Sequence, residues 1–474
     1  MNKTVLLVLI GRAFQVVISL AAVRIYTRLL STGEVGNLFL INSIVGLFAL
    51  TLINPIGMFI NRRLHEWAEN KAIINVFFIF NLYLVFISIS SVLIVGLLNK
   101  FLGVGSTIDI RMLSLFVMLN IYFNTWNQSI IPSLNMLHHV KSFVLLTVAT
   151  LVLGLGFSVA LVTSRNATAL NWLSGQVVAQ LAITGLAFLY FKKVTKSEFD
   201  FDQVRKSVSL RNLSTIAAFA LPLALTTFLM WVQNQSYRMV VEKYLGLEFL
   251  GMIGVGMGIA TSLCATVESL VLQVYYPIYY SEINTPDPVK RALAWNKMAR
   301  LTIPIYISVT ILVSCLAPFL VKILVNDKFS QVYVYVIFGA WVELFRMTTN
   351  VLSSVAHSEM QTRSLIFAYL AGALFAFPGV YLCATHGFQQ AIPVVLVVSG
   401  FVTMSAMYVA MSKLISLKLD AGMLVKPVFS SIPFAFSLLL YSRSGSLLVS
   451  VASMVLAGLY FSFMHYPAYR NIRN

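Results

Sequence analysis

The sequence predicts an all-α polytopic membrane protein of about fourteen transmembrane helices, arranged as two pseudo-symmetric six-helix lobes and two further C-terminal helices. Three observations predict it. Hydrophobic residues make up 59% of the 474-residue chain and charged residues 10%, against roughly 25% charged in soluble domains. The apolar residues fall in windows close to the roughly 20 that cross a hydrocarbon layer. A short pattern between the first two windows returns 215 residues later. The mean hydropathy of +0.87 leaves no room for a sizeable water-soluble domain.

Hydrophobic windows place the spans near 5–29, 37–60, 73–98, 112–137, 143–163, 169–191, 213–243, 250–278, 301–323, 331–355, 365–384, 391–412, 427–441 and 447–463. The thirteenth is short and carries Pro427 and Pro433. The first follows one Lys without a small-residue cleavage site before Arg24, so it reads as a retained helix and not a removed signal. Connections at 30–36, 164–168, 244–249, 385–390 and 442–446 are short, and the longest is 192–212. Cys264, Cys315 and Cys383 lie far apart in apolar stretches, which argues against a disulfide framework and a metal site.

The net charge of +17, from 33 Lys and Arg against 16 Asp and Glu, sorts by side. With the N-terminus inside, twenty-one basic residues fall on inner segments and eight on outer ones. That asymmetry predicts that both termini are cytoplasmic, and it makes the excess charge a topology signal with no nucleic-acid partner. The remaining four, Arg12, Arg24, Arg238 and Arg346, lie within spans.

Arg28-Leu-Leu-Ser-Thr-Gly-Glu-Val-Gly36 joins the first two spans, and Lys243-Tyr-Leu-Gly-Leu-Glu-Phe-Leu-Gly251 joins the seventh and eighth. Lys141-Ser-Phe and Arg363-Ser-Leu form a looser second pair. Six spans per copy leave both copies in the same orientation, as in parallel-repeat membrane proteins. The expected organisation is a lobe at 1–191, a basic cytoplasmic linker at 192–212, a second lobe at 213–412, and two helices with a tail at 413–474.

Residues three, four and seven apart share a helix face. Arg12, Gln15, Ser19 and Tyr26 make a polar stripe on the first span; Asn120, Asn124, Asn127, Asn135 and His138 on the fourth; Thr227, Trp231, Asn234 and Arg238 on the seventh; Gly339, Glu343, Arg346, Asn350 and Ser354 on the tenth. The striped spans correspond under the repeat. A charge at mid-bilayer costs at least about 2.5–3.5 kcal/mol, so such stripes must face one another or a watered cavity between two halves. Blander roles compete: Arg12, Arg24 and Arg238 can snorkel, Glu343 and Arg346 can neutralise each other, and span asparagines serve as interhelical glue. Glu268 is an isolated in-span acid, either structural or a proton carrier. Ten of the thirteen prolines lie in or at the ends of spans, where they bend helices. No phosphate loop, HExxH, paired-Cys site or GxSxG elbow occurs, so neither an enzyme, a metal nor a cofactor is expected.

With Val23-Arg24-Ile-Tyr-Thr-Arg28 through Gly36, Asn54-Pro-Ile-Gly57, Asn61-Arg-Arg63, and the second opening from Pro222 through Trp231 to Arg238 and Gly251, the chain resembles the Wzx-type O-antigen flippases. These share a superfamily with MATE multidrug exporters and lipid II flippases. The resemblance implies a V-shaped pair of lobes, alternating access, and an undecaprenyl-pyrophosphate-linked oligosaccharide moved from the cytoplasmic to the periplasmic leaflet. It also implies a bacterial inner membrane as the location, and membrane lipids and polysaccharide polymerase machinery as partners.

On this reading Arg12, Arg24, Arg238 and Arg346 supply cationic groups to the cavity, whose other lining is Gln15, Asn120, Asn124, Asn127, Trp231, Asn234 and Asn350. Arginine forks suit a pyrophosphate, while Asn, Gln and aromatic groups suit sugar hydroxyls and ring faces. Glu343 and Glu268 are candidates for proton or sodium antiport. A MATE-like cation or drug exporter, a lipid II flippase and a non-transporting scaffold are the alternatives. Reporter fusions test the topology. A C-terminal green fluorescent protein should fluoresce and a C-terminal alkaline phosphatase should be inactive; the reverse pattern would invert the assignment.

Overall fold

The computed structural model describes residues 3–207, 210–283, 285, 287–438 and 447–473. The described residues are helical throughout apart from their connections. Twelve of the described helical stretches are long and apolar enough to cross a membrane. The fourteen expected from the sequence are therefore two more than length and hydropathy alone select. The two left over are α5 (Ile110–Met136) and α13 (Tyr333–Ser358). They have the length but are too polar to qualify, and they are the fourth and tenth windows, which carry the densest polar stripes.

The chain divides into two compact units, one of residues 1–231 with 241–248 and one of 232–240 with 249–474. The first unit takes in the basic segment 192–212 and most of the helix after it.

In the first unit, α1 spans Lys3–Leu29. Ser31 caps α2 (Thr32–Phe48) by accepting the Glu34 N–H. A π-helical turn, Ala49–Ile53, joins α2 to α3 (Asn54–Glu69). Pro55 cannot donate to the ladder there. The Tyr83 hydroxyl donates to the Leu52 carbonyl at 2.8 Å, so part of the disturbed backbone is satisfied from the next helix. α4 (Ile73–Leu97), α5, α6 (Val140–Ser164) and α7 (Ala169–Thr195) follow, with Asp109 capping α5 and Thr168 capping α7. The segment after α7 is docked: Asn75 donates to Gln203 at 3.0 Å and accepts from the Asp200 N–H at 2.9 Å, and a short helix α8 (Phe201–Ser207) forms within it.

Where one seventh span was expected over 213–243, the structure has α9 (Leu210–Asn234) and α10 (Tyr237–Leu245). Neither Gly nor Pro marks this interruption at 235–236. The Ser236 hydroxyl donates to the Val232 carbonyl beside it, an alternative to the helix ladder that a serine carries.

The second unit holds α11 (Leu247–Glu282) from Phe249 onward, α12 (Pro288–Leu324), α13, α14 (Ser364–Thr385) and α15 (Ile392–Ser412). α16 (Ala421–Ser430), a 3₁₀ turn at Ile432–Ala435, and α17 (Leu447–Arg473) complete it. In its described part, 427–438, the thirteenth window is the last turn of α16, the 3₁₀ turn and the start of a further helix at 436–438. The connection expected at 442–446 lies outside the described residues. α16 and α17 both pack on α12.

The repeat shows in the packing within each unit. α4 packs on α5, α5 on α7, and α6 on α7; α12 packs on α13, α13 on α15, and α14 on α15. Small residues allow these approaches. A Cβ on Gly175 of α7 would lie 2.3 Å from the Ser158 backbone nitrogen of α6, and the Ser158 hydroxyl donates to the Trp172 carbonyl at 2.6 Å. Without a hydrophobic force between helices in lipid, such contacts carry the association. Gly36, from the repeated opening pattern, has an equally direct cause: a Cβ there would lie 2.1 Å from the Leu247 carbonyl oxygen.

Gly175→Val should therefore cost about 1–3 kcal/mol, read as a lowered midpoint of thermal unfolding in detergent. Gly156→Val, at an exposed position with open space around it, should not. Equal midpoints would remove the α6–α7 contact as a determinant of stability.

Candidate functional site

The polar stripe of α13 meets α11. The two helices approach closely because Gly256 of α11 faces Val332 and Tyr335, and Gly339 of α13 faces Ala260 and Met257. A Cβ on Gly339 would stand 2.9 Å from the Ala260 Cβ. Farther along the same seam the small residues give way to charge.

Arg346 Nε donates to Glu343 Oε2 at 2.6 Å, and its Nη2 donates to Glu268 Oε2 at 2.7 Å. The second oxygen of each carboxylate is also used. Thr261 donates to Glu343 Oε1 at 2.8 Å, and Asn350 Nδ2 donates to Glu268 Oε1 at 2.8 Å. Glu343 and Glu268 are 4% and 7% exposed, and the Arg346 side chain is 26% exposed. Two carboxylates with all four oxygens engaged therefore hold one guanidinium. With the three groups ionised the cluster carries one net negative charge.

Spacing alone showed half of this. Glu343, Arg346 and Asn350 share a face of one helix, and the Glu343–Arg346 pair is the neutralisation that a three-residue spacing allows. The expected role of Arg346 as a cation held ready for an anion is altered, because two carboxylates already occupy it. Glu268, 78 positions earlier, is not isolated: it closes the network from the neighbouring helix. Thr261 was missed, since one threonine in an apolar window carries no signal. Nearby on α12, Tyr306 is fully buried and its hydroxyl has no hydrogen-bond partner. Of the remaining second-unit candidates, Asn234 is half-buried, and the Arg238 guanidinium stands 5.7 Å from the Tyr237 ring centre.

The first-unit candidates group differently. Asn120 is buried. Asn124 accepts from Gln128 at 3.2 Å and from Gln180 of α7 at 3.1 Å, and Asn127 donates to Thr150 of α6 at 3.4 Å. The α5 asparagines thus serve in part as interhelical glue. The Trp231 indole N–H donates to the Ser43 carbonyl of α2 at 2.8 Å, so its polar atom is spent on the fold. On α1, Arg12 Nη1 donates to Gln15 Oε1 at 3.1 Å, while its Nε is buried without a partner. Arg24 is half-buried, and its Nη1 is buried without a hydrogen-bond partner among the described residues.

Sequence reasoning also passed over Glu242 of α10. It is buried; one oxygen accepts the Gly105 N–H at 2.8 Å, and the other has no partner.

A family profile described as "Polysaccharide biosynthesis protein" matches residues 25–334, well over half the chain. The chain belongs to that family. No curated protein sequence matches this polysaccharide biosynthesis family member significantly. Solved structures do. The lipid II flippase MurJ in an inward closed conformation superposes with a TM-score of 0.64 at 12% identity, covering 100% of both chains. An inward-facing multidrug resistance MATE family transporter of the MOP superfamily gives 0.58 at 14%, covering 85% of this chain and 95% of the other. A MOP superfamily transporter from Pyrococcus furiosus, described as having a binding pocket of reverse polarity, gives 0.55 at 16%, covering 86% and 94%. At these identities the likeness is one of fold. The family member therefore shares the all-α fold of these transporters, a coarser statement than the Wzx type.

Removing one member of a buried charged set leaves the others uncompensated, at about 3–5 kcal/mol. Arg346→Met should show that loss in a denaturation experiment. Adding Glu343→Gln to Arg346→Met should recover part of it, giving a non-additive double-mutant cycle. Additive losses would mean that the network is not coupled.

Proposed function

We propose that the chain carries a lipid-linked saccharide across the membrane by alternating access, with an undecaprenyl-pyrophosphate-linked repeat unit as substrate. The family description, polysaccharide biosynthesis, supports this reading. So does the full-length likeness to a protein described as a lipid II flippase, whose named cargo is lipid-linked. The observation that carries it is the division of labour among in-span charges. Arg346 is committed to two carboxylates, whereas Arg24 keeps a buried guanidinium nitrogen with no hydrogen-bond partner. Buried donors are normally satisfied, and an arginine fork matches a phosphate oxygen pair. Arg24, with Arg12 and Gln15 on the same helix, is assigned to the pyrophosphate, and the polar groups of α5 to saccharide hydroxyls. With an inside-negative potential, outward movement of an anion is downhill by about 2.3 kcal/mol per charge per 100 mV. The α11–α13 cluster, one negative charge in excess, is assigned to proton or sodium coupling.

That same excess favours a second reading, a MATE-like exporter of organic cations, because an acidic in-span cluster attracts a cation. The two separate in vesicles containing the purified protein. On the first reading, a fluorescent polyprenyl-pyrophosphate saccharide is flipped, Arg24→Ala slows flipping at least about tenfold (one lost charge-assisted hydrogen bond, about 1.5–3 kcal/mol), and Arg24→Lys retains part of the rate. Glu268→Gln should remove the dependence on an imposed ion gradient. Normal flipping by Arg24→Ala would sink the site assignment. Ethidium export with no saccharide flipping would establish the second reading.

A further inference from the structure

A cavity of about 510 Å³ lies within the first unit, between α4, α5 and α7. It shares no residue with the arginines and asparagines assigned above. Its wall is aromatic, built from Phe77, Phe78, Tyr122, Phe123, Trp126 and Phe188. It reaches along α7 from Leu181 to Lys192, eleven residues, or about 16 Å at 1.5 Å per residue.

Two features make it more than a lipid-facing dent. Lys192 lines one end, in the last turn of α7. Deeper in, Thr184 is 9% exposed, and its hydroxyl is buried with no hydrogen-bond partner. Asn81 also lines the groove, and its carboxamide oxygen accepts from Tyr122 at 2.7 Å and from Trp126 at 3.2 Å. An unsatisfied hydroxyl inside an apolar wall is costly unless something brings it a partner.

We propose that this groove is a binding site for one anionic glycerophospholipid: its phosphate at Lys192, an ester oxygen at Thr184, and its acyl chain along the aromatic wall. The charge of Lys192 selects an anionic headgroup. The unpartnered Thr184 hydroxyl selects a lipid with an ester oxygen to accept from it, which a polyprenyl phosphate does not offer. This site is independent of the proposed transport reaction.

The test uses the full chain, delipidated in detergent and offered palmitoyl-oleoyl phosphatidylglycerol or phosphatidylcholine, with retained lipid counted by native mass spectrometry. The wild type should retain phosphatidylglycerol over phosphatidylcholine by about fivefold, the preference expected of one Lys near an anionic lipid. Lys192→Gln should abolish that preference and Lys192→Arg should keep it. Gly185 lines the groove, and a Cβ there meets nothing within 4 Å, so Gly185→Leu puts a side chain into the lipid's space without striking the protein. It should cut retention of both lipids. Val178→Phe, on the same helix at a 44% exposed position outside the groove, should change nothing and controls for folding. Equal retention of the two lipids by the wild type, unchanged retention in Gly185→Leu, or displacement of phosphatidylglycerol by an equal concentration of undecaprenyl phosphate would each overturn the proposal.

Discussion

The cost of charge in hydrocarbon orders this structure. A carboxylate or guanidinium taken out of water loses solvation worth several kcal/mol even after the protein relaxes. The chain nevertheless places Glu268, Glu343 and Arg346 inside one unit. It does so at a seam where Gly256 and Gly339 bring two helices close enough for every carboxylate oxygen to find a donor. The glycines and the charges are one device. Without the close approach, Thr261 would not reach Glu343, and Glu268 would not reach across to a residue on another helix. The same need shapes α2 and α3, where Tyr83 meets a carbonyl beside the π-helical turn.

How much of this could be read beforehand depended on distance along the chain. Features that repeat within a helix were legible. The polar stripe of α13 and the asparagines of α5 follow from spacing, and their polarity is why length and hydropathy alone pass over those two helices. The repeated opening pattern was visible, and Gly36 proves to sit against the Leu247 backbone. Contacts made between helices were not legible. Glu268 reads as isolated until α11 is laid beside α13, and Trp231 reads as a sugar platform until its N–H is seen on Ser43. The interruption after α9 lacks both residues that usually announce one. The aromatic groove is built from three windows, each of which looks like ordinary apolar span.

Among the in-span arginines, burial and partnership matter more than number. Four arginines against two acids suggested a surplus of positive charge waiting for an anion. The structure binds one of those arginines to both acids and adds Glu242 as a further buried carboxylate. The remaining arginines are spread: Arg12 and Arg24 lie on α1 and Arg238 on α10, the helix that also carries Glu242, while the α11–α13 seam carries the opposite sign.

That seam also constrains how the sequence can drift. Arg346 cannot be lost alone, because two buried acids would remain without a counter-charge. Neither can Glu268 or Glu343 change freely, since each orients the guanidinium that the other holds. Positions 261, 268, 343, 346 and 350 form one linked set spread over two helices and ninety residues. Substitutions there should be tolerated only in combinations that keep every buried charge partnered, and Gly256 and Gly339 are tied to the same set through the helix spacing they permit. In the vocabulary of inheritance, these seven positions are expected to change as one unit: a chain that exchanges one of them must exchange its partners or move the charge elsewhere.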